Sequence, residues 1–124
     1  MLQNMKNILV IEDDLMIATM VKMRLNKDGY NITVIDDGTA GIAAIENSTP
    51  DLIITDIVMS SKSGLEIITY AQEHQPGCPI IVLSSLSEEE LTLIEAFNLG
   101  VSDFVPKPFH PNELSLRVKS LFKN

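Results

Sequence analysis

Four short polar groups, each placed directly after an apolar segment, hold the side chains best suited to chemistry in this chain. They are Glu12-Asp13-Asp14, Thr55-Asp56, Ser84-Ser85 and Pro106-Lys107-Pro108. Ligands of open α/β sheets bind outside the carboxyl ends of the strands. If the apolar segments are neighbouring parallel strands, we therefore expect these carboxylates, the hydroxyl and the ammonium to meet in one crevice.

Charge balance in such a crevice requires a cation. Glu12, Asp13 and Asp56 cannot all stay ionised close together without compensation, and Lys107 supplies only one positive charge. A hard divalent ion with oxygen ligands completes the balance, Mg²⁺ ahead of Ca²⁺, while nothing in the set is soft enough to favour copper or zinc. Asp14 is expected to turn away and cap the following helix.

This set of side chains suits the transfer of a phosphoryl group to a carboxylate. Asp56 is the expected nucleophile because it lies between the acids after the first segment and the hydroxyl after the fourth. The metal would neutralise charge on the phosphoryl oxygens, while Lys107 and Ser84 would hold the group. Each residue alone has a bland alternative, since such acids often cap helices, a serine can satisfy a backbone group and a lysine can face solvent. Only the joint arrangement favours chemistry.

The hydrophobic pattern predicts the elements that position these groups. Short runs rich in isoleucine and valine predict strands covered on both faces: Asn7–Ile11, Tyr30–Ile35, Asp51–Thr55, Pro79–Ser84 and Val101–Val105. Segments of helical period predict a helix after each strand: Asp14–Lys27, Thr39–Asn47, Gly64–His74, Ser87–Asn98 and Asn112–Lys123. The last helix is expected to start near Pro111. Ser87 and Glu90 fit a capping box. This alternation indicates an α/β domain with a parallel sheet between two helical layers.

Bulk composition predicts one soluble domain spanning residues 1–124. No effector domain is expected within this chain, which is either a stand-alone protein or a fragment of a longer one. Its 17 acids against 9 bases give a net charge of -8, which argues against direct binding of nucleic acid. No apolar run approaches the roughly 20 residues that span a bilayer, and the start is no secretory signal. We therefore expect a cytoplasmic protein. Cys78 is the only cysteine and is predicted to be a buried or half-buried small hydrophobe.

Over essentially its whole length the sequence resembles the receiver domains of two-component response regulators. The resemblance rests on four stretches in matching order and spacing: Ile8-Leu9-Val10-Ile11-Glu12-Asp13-Asp14, Asp56-Ile57-Val58-Met59 followed by Gly64, Pro79–Ser84, and Gly100–Phe109. It implies a flavodoxin-like (βα)₅ fold with strand order 2-1-3-4-5. It also implies a signalling domain that catalyses only its own phosphorylation and dephosphorylation, and no other enzymatic activity.

The same resemblance implies roles for individual residues. Asp56 matches the phosphorylated aspartate, and Glu12 and Asp13 match the acidic pair that holds Mg²⁺ (or Mn²⁺ as a substitute), with Asp13 the direct ligand. Val58 matches the position that lends its backbone carbonyl to the metal. Ser84 and Lys107 match the hydroxyl and the lysine that contact the phosphoryl group. Family members usually have a cis Lys-Pro peptide, and one is therefore expected at Lys107-Pro108.

Switching and partners follow from the resemblance too. Phosphorylation would draw Ser84 and its strand end inward, and Phe104 would turn to fill the vacated space. The responding face would comprise the fourth helix, fifth strand and fifth helix, with Leu91, Ile94, Phe104 and Leu116. The donor would be a sensor histidine kinase or a phosphotransfer protein. The face would support a phosphorylation-dependent homodimer or a fused output domain, with transcription indicated by Arg117 and Lys119 in the last helix.

Some residues depart from the family pattern, and two other classes of function are compatible with the chain: an enzyme, and a nucleotide-binding or purely scaffolding domain. Ser60, Ser85 and Pro106 stand where proline, alanine and other residues are usual, and Val58 and Ser85 leave the lifetime of the phosphoryl group open. A metal-dependent phosphatase would want an acid two residues after the nucleophile, where Val58 stands. A nucleotide-binding domain would want a glycine-rich loop after the first strand, which is missing. A pure scaffold would be insensitive to Mg²⁺.

Overall fold

The computed structural model describes residues 5–59, 62–85 and 90–123. Its elements in chain order are β1 (Asn7–Ile11), α1 (Leu15–Lys27), β2 (Asn31–Ile35), α2 (Gly38–Asn47), β3 (Leu52–Asp56), α3 (Gly64–His74), β4 (Ile80–Ser84), α4 (Glu90–Asn98), β5 (Asp103–Pro106) and α5 (Pro111–Lys123). All strand pairs are parallel, in the order β2-β1-β3-β4-β5. The predicted flavodoxin-like α/β fold is confirmed.

The sheet separates two apolar layers. Every residue of β3 and β4 is buried, which is why these strands lack polar alternation. One face packs against α2, α3 and α4, represented by Ile45, Ile68 and Ala96. The other packs against α1 and α5, represented by Leu25 and Val118. With both faces covered, polar groups reach solvent at the strand ends, where the site is expected.

The first residues of the strands differ slightly from the prediction. β2, β3 and β4 each begin one residue later, and β3 extends to include Asp56. β5 begins at Asp103 instead of Val101. Val101 is buried, but the chain there is still a loop, in which the Ser102 amide donates to the Ile80 carbonyl oxygen at 2.8 Å. The apolar pattern therefore detected burial correctly and placed the strand wrongly.

Side-chain caps start the first two helices. Asp14 precedes α1 and accepts a hydrogen bond from the Ile17 amide at 3.1 Å, which confirms its predicted role. Asp37 accepts from the Ala40 amide at 2.9 Å, so α2 begins at Gly38, one residue earlier than predicted. The capping box predicted at Ser87 lies outside the described residues.

Cys78 is half-buried, as predicted, and is a free thiol. Its Sγ donates to the Pro50 carbonyl oxygen at 3.3 Å. Burial raises the pKa of the thiol to about 11, with a further contribution from the charge of Asp51. Among the described helices, none has the length and apolar character needed to cross a bilayer.

Candidate functional site

The carboxyl ends of β1, β3, β4 and β5 lie side by side in the sheet and carry the predicted site residues. Asp56 and Ser84 are the last residues of β3 and β4, while Glu12 and Lys107 directly follow β1 and β5. The sheet order thus gathers groups that are up to 95 residues apart in sequence (107 minus 12). The structure thus brings the predicted carboxylates and the Lys107 ammonium together at one edge of the sheet.

Three acids form the centre of the site. Carboxylate oxygens of Glu12, Asp13 and Asp56 all lie within 4.8 Å of one another. Glu12 is fully buried, Asp56 is 7% exposed and Asp13 is exposed. Solvent exposure therefore increases across the cluster from Glu12 to Asp13, and a ligand could enter on the side of Asp13.

Lys107 is the cation facing these acids. Its Nζ lies 3.0 Å from Glu12 Oε1 and 3.1 Å from Asp56 Oδ2. Burial by itself would lower the pKa of the ammonium, but the two carboxylates outweigh that effect and raise it. Lys107 therefore stays charged and balances one of three negative charges. The Lys107-Pro108 peptide bond is cis, as the resemblance implied.

Glu12 is electrostatically the most strained member of the cluster. Burial raises the pKa of its carboxyl to about 7, and the charge of Asp56 adds to the rise against the opposing effects of the Asp14 amide and Lys107. Oε2 accepts a hydrogen bond from the Asp14 amide at 3.1 Å. Oε1 lies 3.0 Å from Lys107 Nζ, so the ammonium donates a charge-assisted hydrogen bond to it.

This arrangement fits a hard divalent cation. Mg²⁺ binds carboxylate and carbonyl oxygens and usually keeps several waters. The cluster supplies the carboxylates, and the exposed Asp13 leaves one side of it open to solvent. Added positive charge would also relieve the repulsion that holds the Glu12 pKa high.

The chain after Asp56 folds tightly around that residue. The Val58 amide lies 3.4 Å from Asp56 Oδ1, and the Gly64 amide donates to the Ile57 carbonyl oxygen at 2.9 Å. A Cβ on Gly64 would lie 2.5 Å from Ile57 Cα and 2.7 Å from the Asp56 carbonyl oxygen. No side chain fits there. The spacing of Gly64 from Asp56 was recognised in the sequence. The close approach of its backbone to Ile57 was not, because a backbone contact leaves no pattern in the sequence.

Ser84 and Phe104 occupy the neighbouring part of the sheet. Ser84 is fully buried, and its carbonyl oxygen accepts a hydrogen bond from the Lys107 amide at 2.7 Å. Phe104 is half-buried and packs against the core beneath α2, α3 and α4. The ring of Phe97 meets it edge-on, with centroids 5.5 Å apart and planes at 86°.

The predicted responding face on α4, β5 and α5 is partly apolar at the surface. Ile94 is 51% exposed and Leu116 is 67% exposed, while the side chain of Leu91 lies outside the described residues. Arg117 donates to both carboxylate oxygens of Asp103 at 3.0 Å. Sequence analysis missed this ion pair because a separation of 14 residues joins two different elements.

Comparisons with known proteins agree with this geometry. Residues 8–119 match the family model of the response regulator receiver domain. The chain is 38% identical to the transcriptional regulatory protein KdpE of Staphylococcus aureus over 112 residues, covering 90% of this chain and 48% of KdpE. It is 34% identical to the probable transcriptional regulatory protein TcrX of Mycobacterium tuberculosis over 116 residues, covering 94% and 49%. The chain spans about half the length of these curated relatives.

Solved structures share the fold closely. The chemotaxis response regulator CheY4 of Vibrio cholerae superposes with a TM-score of 0.87 at 25% identity, covering 94% of this chain and 98% of CheY4. The response regulator DrrB of Thermotoga maritima, an OmpR/PhoB homologue, gives a TM-score of 0.87 at 28% identity, covering 97% and 54%. With the family match over residues 8–119, these likenesses show that the chain belongs to the receiver domains of two-component response regulators.

Proposed function

We propose that Asp56 accepts a phosphoryl group from a phosphohistidine donor, so that the chain works as a phosphorylation-controlled switch. The observation that carries this proposal is the difference in solvent exposure among the three acids of the cluster. Glu12 is sealed from solvent, whereas Asp56 is 7% exposed and touches Lys107 at 3.1 Å. Asp56 therefore combines access for a donor with a cation in place, while Asp13 is exposed and lies on the outer side.

The transfer would proceed by in-line displacement. An Asp56 carboxylate oxygen attacks the phosphorus, a P–O bond forms as the P–N bond breaks, and the imidazole of the donor keeps the electron pair. Lys107, already 3.1 Å from Asp56 Oδ2, would neutralise a phosphoryl oxygen, and the Ser84 hydroxyl would donate to another.

The metal requirement follows from the same residues. Glu12, Asp13, Asp56 and the backbone carbonyl of Val58 would hold Mg²⁺, with Mn²⁺ as a substitute, and the bound ion would supply charge neutralisation at the phosphoryl oxygens. With three carboxylate side chains and one ammonium in the crevice, the added charge of a phosphoryl group needs this compensation. Lys107 alone is insufficient.

Output would leave through α4, β5 and α5. Phosphorylation would draw Ser84 inward, and Phe104 would turn to fill the space that Ser84 vacates. Because the ring of Phe97 packs edge-on against Phe104, Phe97 would move with it. The exposed Ile94 and Leu116 give this face an apolar surface for a partner. We propose that the donor is a sensor histidine kinase or a phosphotransfer protein and that the domain acts in the cytoplasm. The signal would be passed on by a phosphorylation-dependent homodimer or by a transcriptional output domain.

The proposed dimer can be tested by light scattering. The wild type should be a dimer after phosphorylation, whereas phosphorylated Leu116→Asp should be a monomer.

The decisive experiment is labelling with acetyl phosphate and Mg²⁺, read by intact-protein mass. The wild type should gain one phosphoryl group and Asp56→Asn none. Asp36→Asn is the matched control, because Asp36 is an exposed acid after β2 that does not belong to the cluster. Undiminished labelling of Asp56→Asn would refute the assignment, and so would an equal loss of labelling in Asp56→Asn and Asp36→Asn.

A further inference from the structure

The segment that follows the phosphoacceptor is closed by backbone contact. Gly64, at the start of α3, donates its amide to the Ile57 carbonyl oxygen at 2.9 Å and leaves no room for a Cβ. The ends of segment 57–64 therefore touch each other immediately beside Asp56. Val58, within the same segment, places its amide 3.4 Å from Asp56 Oδ1. A shift of Gly64 would therefore press on Ile57, the neighbour of both Asp56 and Val58.

A second glycine meets the same segment from outside. Gly38 is buried and begins α2. A Cβ there would lie 2.7 Å from Lys62 Cβ and 2.9 Å from both the Lys62 amide nitrogen and carbonyl oxygen. Two of these three atoms are backbone, so they cannot rotate aside. Since ordinary contacts begin near 3.4 Å, a methyl group would displace Lys62 by about 0.5–0.7 Å.

Space, and not backbone conformation, is the requirement at this position. Gly29, Gly77 and Gly100 are the described glycines with positive φ, and Gly38 is not among them. An alanine would therefore suit the helix, where it is the better helix former. The lack of a side chain at Gly38 is therefore needed because Lys62 lies too close to the backbone of α2 to leave room for a Cβ.

We propose that Gly38 is a positioning residue for the phosphoacceptor site. By presenting bare backbone at the start of α2, it lets Lys62 lie close to that helix and so sets where Gly64, Ile57 and Val58 lie relative to Asp56. The displacement would pass from Lys62 to Gly64 over two residues, and Gly64 touches Ile57 and Asp56 directly. This inference rests on the proposed function, because the position of Asp56 matters only if it reacts.

The test compares Gly38→Ala with Gly29→Ala. A Cβ on Gly29 meets nothing within 4 Å, but its φ of +99° strains any other residue, so the control destabilises without touching the site. Both variants and the wild type are labelled with acetyl phosphate and Mg²⁺, their unfolding is followed in urea, and their Val58 and Gly64 amides are recorded by NMR without phosphodonor.

We expect Gly38→Ala to label about tenfold more slowly, since a misplacement near 1 Å costs up to about a hundredfold. Its Val58 and Gly64 amide resonances should shift, while Gly29→Ala keeps the labelling rate and resonances of the wild type despite lower stability. A Gly38→Ala rate within about twofold of wild type overturns the proposal, and so does equal slowing of Gly29→Ala.

A second variant protects the test against misfolding. In Gly38→Ala/Lys62→Gly the contact with Lys62 Cβ is gone while the two backbone contacts remain, so labelling should recover partly. If Gly38→Ala does not fold, this double variant should fold and label more slowly than Lys62→Gly; equal rates overturn the proposal. A wild type that is not labelled at all contradicts the function of Asp56 instead, and the two failures are thereby distinguished.

Discussion

Lys107→Met removes the cation that contacts both buried acids and leaves a side chain of similar length. In the metal-free protein, Nζ of Lys107 lies 3.0 Å from Glu12 and 3.1 Å from Asp56. Breaking a buried ion pair from one side costs about 3–5 kcal/mol, because the remaining charge is uncompensated. The Lys107 side chain is 18% exposed, so solvent screens part of this effect. We expect a loss of about 2–3 kcal/mol at pH 8.5.

The loss should depend on pH in a defined direction. The pKa of Glu12 is raised from 4.5 to about 7, so the folded state holds this proton more tightly than the unfolded state. The contribution of Glu12 to the stability of the wild type therefore falls as pH rises from about 4.5 to 7 and then levels off. Without Lys107 the Glu12 pKa rises further, and the fall continues above pH 7. At pH 5.5 Glu12 is protonated in both proteins, and the difference should shrink to about 1 kcal/mol.

Urea unfolding followed by circular dichroism, in chelator at pH 5.5, 7.0 and 8.5, measures this difference. Lys62→Met is the matched control, since Lys62 is 41% exposed and pairs at 3.7 Å with Glu66, four residues further along the chain. Such exposed pairs contribute about 0–1 kcal/mol, so the control should change stability little and equally at each pH. A Lys107→Met loss that is the same at pH 5.5 and 8.5 would refute the electrostatic account of the site.

Three further predictions concern the site and the core. Gly64→Ala should lose about 2 kcal/mol or more in urea unfolding, because its Cβ would overlap backbone atoms of Ile57; a loss below about 0.5 kcal/mol contradicts this. Mg²⁺ should raise the melting temperature of wild type but not of Asp13→Asn, and its affinity should weaken below pH 7 as Glu12 takes up a proton. Cys78, with its pKa near 11, should react at least about tenfold more slowly with a disulfide reagent in folded than in urea-unfolded protein.

The strands could be predicted from sequence because burial on both faces leaves a direct signature. β3 and β4 are buried throughout and consist almost entirely of branched apolar residues. The start of β5 was wrong because Val101 is apolar and buried without joining the ladder. Hydrophobic pattern reports where a side chain lies, whereas a strand is defined by where its backbone hydrogen bonds go.

The acids of the site were also accessible to sequence analysis, since their position after strands predicts convergence. What it could not supply is the difference between them. Glu12 and Asp13 are neighbours with similar side chains, yet one is fully buried and the other exposed. That contrast arises from packing around β1, and it decides which acid is strained. The tight approach of Gly64 to Ile57 is hidden for a related reason, because backbone contacts carry no compositional signature.

We infer that the buried Glu12 makes the site sensitive to added charge. Burying a carboxylate costs free energy even when an ammonium pairs with it, and here burial raises the pKa of Glu12 to about 7. Because the cost is electrostatic, it changes whenever charge enters the crevice, whether as a cation beside Asp13 or as a phosphoryl group on Asp56. The strands beneath are fully buried and cannot yield easily. Under the proposed function the response would appear where packing is looser. Phe104 of β5 is half-buried and contacts Phe97 of α4, so it connects the site with the exposed surface of α4 and α5.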